Sequence, residues 1–140
     1  MNGYMNHYQN NQINTATPEQ ILIMLYDGAI RFCHQAIQAM DIEDKAVQGE
    51  KISRTMAIIS EFASSLDHEI GGQIAADLDG LYGFMMRELM HANLKTDRKA
   101  LENVADLLSG LRETWVEAAR IYGREKHPVS EVSSTIAAAF

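Results

Sequence analysis

Glu88 and His91 stand at the Glu-x-x-His spacing with which four-helix bundles hold a pair of iron or manganese ions. Such a centre needs two of these motifs and two further glutamates on facing helices. The residues three before His34, His68 and His127 are Arg31, Ser65 and Arg124, so the second motif is missing and the ligand count fails. His91 therefore reads as a solvated or capping residue near a helix end. The histidines are dispersed and form no His-x-x-x-His pair. Cys33 is the only cysteine, on an apolar helix face, and nothing in the sequence places a base beside it; it reads as a small hydrophobe. Ser64 and Ser65 sit where capping or turn roles explain serine. Asp41, Glu43 and Asp44 lack the twelve-residue ligand pattern of a calcium loop. No Gly-Lys-Ser/Thr phosphate loop is present. These residues predict neither an enzyme nor a metal or cofactor site, and they leave binding as the function to look for.

The elements that would build a binding surface are helices. Thr17 is a natural N-cap, Pro18 suits the first helical position, and Gln20 can reach back to complete a capping box. Ile21, Leu22, Ile23, Met24, Leu25 and Tyr26 follow without a break, so one side core cannot bury them all. The first helix is expected over 18–40, with a turn at 41–44. The second spans 45–66 with a stripe at Ile52, Met56, Ile59, Ala63 and Leu66. A loop at 67–72 holds the helix-breaking pair Gly71 and Gly72. The third helix covers 72–93 with a stripe at Ile74, Leu78, Leu81, Met85 and Leu89, and Asn93 suits the left-handed position after its end. Thr96 or Asp97 caps the fourth, whose stripe runs Leu101, Val104, Leu108, Leu111, Trp115, Ala118 and Tyr122. Short connections between such stripes predict an all-α, antiparallel up-down four-helix bundle over 17–122. The segments 1–16 and 123–140 are expected to be flexible flanks.

Composition narrows the partner. The formal net charge of −7 argues against nucleic acid, which needs a basic stripe, and against an anionic membrane surface. The polar start of the chain has no basic n-region or apolar h-region, and no uncharged apolar stretch can span a bilayer. One cysteine allows no intrachain disulfide, which fits a reducing cytoplasm. Eight methionines are many for 140 residues. Methionine is over-used on surfaces that accept helical ligands, and it also fills irregular cores.

Each helix carries apolar residues beside its core stripe. Ile23, Met24, Ile30 and Ile37 do so on the first, Ile58 and Phe62 on the second, Tyr82, Met86 and Met90 on the third, and Leu107 on the fourth. One reading is a set of grooves that accept amphipathic helices of a partner. The other is a wide core with the flanking segments packed over it. Tyr4, Tyr8 and Ile13 are apolar anchors on a polar strand that could fold over a groove and be displaced by a partner.

The stretch TATPEQILIMLYDGAIRF at 15–32 resembles the signature of the FliS family of flagellar secretion chaperones. A second block, YGFMMRELMHANLKTD at 82–97, is similar to another stretch of that family, and Ser64, Ser65, Leu66, Asp67 and Trp115 fall where it has similar residues. The blocks keep their order and spacing over nearly the whole chain. The resemblance implies a cytoplasmic chaperone that holds the C-terminal region of flagellin before export, and it favours the groove reading. It further implies docking on the flagellar export gate protein through N-terminal apolar residues, which carries to Tyr8 and, less directly, Met5. Other flagellar regulatory or assembly factors are further candidate partners. A helical adaptor for an amphipathic segment of a different protein is the alternative, and a metal-dependent bundle enzyme comes third.

Overall fold

The computed structural model describes residues 16–125. They form four helices: α1 Pro18–Asp41, α2 Lys45–Ser64, α3 His68–Lys95 and α4 Arg98–Glu125. Helix α1 packs on α2 and α4, and α3 packs on the same two, so the four close a ring around one core. At one end Arg98 at the start of α4 grips Asp41 at the end of α1 through two bonds of 2.9 and 3.3 Å. Lys45 of α2 reaches Thr96 after α3 at 2.8 Å. Neighbouring helices therefore run in opposite directions, the up-down arrangement expected from their short connections.

Local chemistry fixes the boundaries. Thr17 Oγ1 accepts from Gln20 N at 3.1 Å and Gln20 Oε1 accepts from Thr17 N at 2.9 Å, the reciprocal capping box. Asp44 caps α2 by accepting from Val47 N at 3.1 Å, after a turn in which Glu43 takes a positive φ of 58°. Asp67 caps α3 by accepting from Ile70 N at 2.9 Å. That cap starts the helix at His68, ahead of the loop expected through residue 72. The chain passes the glycine pair with a kink, because Gly72 alone adopts φ 53°, ψ −126°, a conformation costly for any residue with a Cβ. At the other end of α3 the left-handed residue is Thr96, not Asn93. Asn93 stays helical and its Oδ1 accepts a bond from the buried Gln48 Nε2 at 3.1 Å.

The core is built on an aromatic layer. The Tyr26 and Phe62 rings stack with centroids 4.3 Å apart, and Tyr82 lies against Phe62 at 5.6 Å. The two tyrosine hydroxyls share a 2.6 Å hydrogen bond across the bundle. Burial raises the pKa of both, so both stay neutral donors and acceptors. Cys33 is buried and its thiol donates to the Leu101 carbonyl at 3.2 Å. Burial pushes that thiol up to about 12. Small residues complete the packing: Ala29 and Ala36 on α1, Ala75 and Ala92 on α3, Ala100 and Ala105 on α4. They let helix backbones approach.

Candidate partner-binding surface

Helix α2 is the shortest of the four and stops at Ser64. Beyond it the first turns of α1 lack a full partner, and this is where the six-residue apolar run lies. Tyr26 alone of that run is fully buried; Ile21, Leu22, Ile23 and Leu25 are half-buried and Met24 is 37 % exposed. A depression of about 200 Å³ opens there, floored by Ile21, Leu22 and Leu25 of α1, with Ser65 on one side and Trp115 of α4 on the other. A second depression of about 230 Å³ lies on the opposite side of the same tryptophan, between Ile74, Leu78 and Leu81 of α3 and Leu111 of α4. Each carries one carboxylate at its rim, Glu19 and Asp77 respectively. Trp115 is 4 % exposed and its indole N–H donates to Tyr26, so the wall between the two depressions is tied into the aromatic layer.

The residues singled out in the sequence are scattered by the fold. Phe62 and Tyr82 are 1 % and 0 % exposed and are core residues, not lining of an open groove. Ile23, Ile58, Met86 and Leu107 are half-buried against the core. Ile58 faces α1, its Cδ1 3.5 Å from where a Cβ on Gly28 would stand. Met24 and Met90 are exposed, Met90 at 58 %. Met24 is on α1 and Met90 on α3, with Ile58 on the α1–α2 seam, so no single groove collects these side chains. Tyr4, Met5, Tyr8 and Ile13 lie outside the described residues, as does the cap they would form.

Of the core stripe expected on α3, Met85 and Leu89 are fully buried and Leu78 and Leu81 pack against the core, where with Ile74 they also line the second depression; Ala75 and Tyr82 are buried beside them. The exposed Ile42, Ile70, Phe84 and Leu94 were not singled out, and no sequence signal separates them from buried neighbours. Glu88 is half-buried and His91 is exposed, with Nε2 3.0 Å from Asp97 Oδ2. The Asp97 carboxyl is held below its usual range by the Ala100 backbone N–H and by His91. Among the described residues no group of three or more His, Cys, Asp and Glu side chains could hold a metal ion, and no helix is long and apolar enough to cross a membrane. What the arrangement offers is apolar contact area with few polar groups, suited to covering a helix face.

Comparison with known proteins places these features in context. The family model described as "Flagellar protein FliS" matches residues 1–122. The chain is 32 % identical over 120 residues to the flagellar secretion chaperone FliS of Bacillus subtilis, covering 86 % of this chain and 89 % of that one. It is 38 % identical over 104 residues to the protein of the same name from Salmonella typhimurium, covering 74 % and 77 %. For the Campylobacter jejuni chaperone the identity is 37 % over 112 residues, covering 80 % and 88 %.

Proposed function

Because this chain belongs to the FliS family of flagellar secretion chaperones, we propose that it holds the disordered C-terminal region of flagellin in the cytoplasm and delivers it to the flagellar export apparatus. The observation that carries this reading is the pair of apolar depressions on either side of Trp115. A flagellin end that folds only on assembly carries amphipathic helical stretches as a monomer. Free in the cytoplasm, such stretches pair with copies of themselves; laid across the α1, α3 and α4 ridges beside Trp115 they are ordered and their apolar faces buried. Ordering a disordered segment consumes much of the contact energy, about 2–5 kcal/mol or more, so tight binding needs a long wrapped interface rather than one pocket. Two depressions flanking one wall give such a segment two anchoring points. Binding of this kind needs no nucleotide, and release follows from handover to the export gate, for which Tyr8 and Met5 are the candidate contacts.

Titration calorimetry against a peptide of the C-terminal helical region of the same organism's flagellin tests the reading. Saturable one-to-one binding, a large negative heat-capacity change and helix gained by the peptide are expected. No binding at roughly tens of micromolar, with both samples intact, would transfer the surface to an amphipathic segment of another protein.

A further inference from the structure

On the seam between α1 and α2 three cations converge on one ring. The charged ends of Arg31, Lys51 and Arg54 lie 5.3, 5.5 and 5.7 Å from the centroid of the half-buried Phe32 ring. Arg31 and Phe32 come from α1, Lys51 and Arg54 from α2. One carboxylate, Glu50, serves both α2 cations, at 3.9 Å from Lys51 and 3.2 Å from Arg54. Arg31 makes no ion pair among the described residues. A chain of net charge −7 thus gathers three positive groups against one negative group at a single spot. Like charges this close repel. The ring face offsets part of that cost, since each such contact contributes about 0.5–1 kcal/mol at an exposed site. The arrangement is a pre-assembled acceptor for anionic groups, and the guanidinium forks of Arg31 and Arg54 match carboxylates.

The spot lies along the same face of α1 as the depression at the end of α2. Ile21, Leu25, Gly28 and Phe32 follow at spacings of four, three and four, so they line one face of α1. Across the seam, Ser65 stands by Leu25, Ile58 by Gly28, and Lys51 and Arg54 by Phe32. From Leu25 to Phe32 the helix rises by about 10 Å. A segment with an apolar anchor between Leu25 and Trp115 reaches the cationic spot two turns further on.

From this geometry we infer that the α1–α2 seam reads an acidic stretch of the client polypeptide, with Asp or Glu side chains placed about two helical turns from the apolar anchor. The identity of that polypeptide rests on the chaperone reading above. The chain's overall negative charge disfavours nucleic acid and anionic lipid, whereas a short acidic peptide meets only the local field. The consequence is a client chosen by charge register as well as by apolar contact, with association that salt slows.

The test is titration of the full chain with the flagellin C-terminal region at about 0.03 and about 0.3 M NaCl. The wild type is compared with Arg31→Glu/Arg54→Glu and with the milder Arg31→Gln/Arg54→Gln, each checked for an unchanged circular dichroism spectrum. The inference expects wild-type affinity to fall with salt, the charge-reversed variant to bind about tenfold more weakly at low salt, and its salt dependence to be largely lost, with the glutamine variant between. Binding that is equal in all three proteins overturns the inference and leaves the chaperone reading standing. Absence of binding by the wild type overturns both. Adsorption to phosphatidylglycerol vesicles that disappears in the variants, with peptide binding untouched, would assign the seam to a lipid surface instead.

Discussion

Replacing Phe62 with alanine separates a core role from a partner-contact role at the position where sequence and structure differ most. Phe62 is 1 % exposed and touches both tyrosines of the aromatic layer, at 4.3 and 5.6 Å between centroids. Truncating a buried phenylalanine costs about 3–5 kcal/mol, from lost transfer energy plus the cavity left behind. Two aromatic faces would lose their partner here, each pair contributing about 0.5–1.5 kcal/mol beyond area, which places the cost near 4–5 kcal/mol. That is a large share of the roughly 5–15 kcal/mol by which a domain is stable. The melting temperature should fall by about 15 °C or more. Circular dichroism melts and urea titrations read this directly, with Met90→Ala as the control. Met90 is 58 % exposed, so its truncation should stay within about 0.5 kcal/mol of wild type. A drop under about 5 °C for Phe62→Ala, with an unchanged denaturant slope, would refute the claim that this ring organises the core.

Two glycines of α3 should respond to alanine with opposite signs. Gly72→Ala places a Cβ at φ 53°, ψ −126° and should destabilise by about 1–3 kcal/mol, whereas Gly80→Ala enters open space in a helix and should stabilise by about 0.5–1 kcal/mol; urea midpoints compare them. Cys33 should resist a maleimide reagent near pH 8 and react on unfolding, because its buried thiol is pushed up to about 12. The same shift sets an alkaline limit. The folded pKa lies above the unfolded one, so this contribution is intact below about pH 8.5 and is lost as pH rises toward 12. Stability measured across that window should decline less steeply in Cys33→Ala.

How much of this was legible in the sequence varies with the kind of signal. The Thr17–Pro18–Gln20 start was readable because every group in a capping box is local. The α4 stripe was readable because Leu101, Val104 and Leu108 are large, regularly spaced and fully buried. On α3 the pattern held for Met85 and Leu89 and was partial for the residues before them. Hydropathy weighs Ile74, Leu78 and Leu81 above alanine, but close-packed helices bury Ala75 and Ala92 where backbones approach, and the aliphatic positions fall to the rim. Gly71 and Gly72 read as a break, and Gly72 does leave helical geometry; what the pattern did not show is the short helical turn that the Asp67 cap starts ahead of it. The depression between α1 and Trp115 lies where α2 ends, a consequence of element length that no local pattern shows. The Phe32 cluster needs two helices to be in register before Arg31 and Arg54 become neighbours.

Trp115 is the only tryptophan of the chain, and it forms the wall shared by both depressions. Its indole is nearly solvent-free and bonded to Tyr26, so its emission belongs to one defined environment. A side chain entering from either direction changes the packing around the same fluorophore. If the proposed client does seat in these depressions, the protein is its own optical sensor for occupancy: unlabelled, single-site and addressable from two faces. Shortened ligands that reach only one depression or the other would resolve the order in which a long ligand engages them.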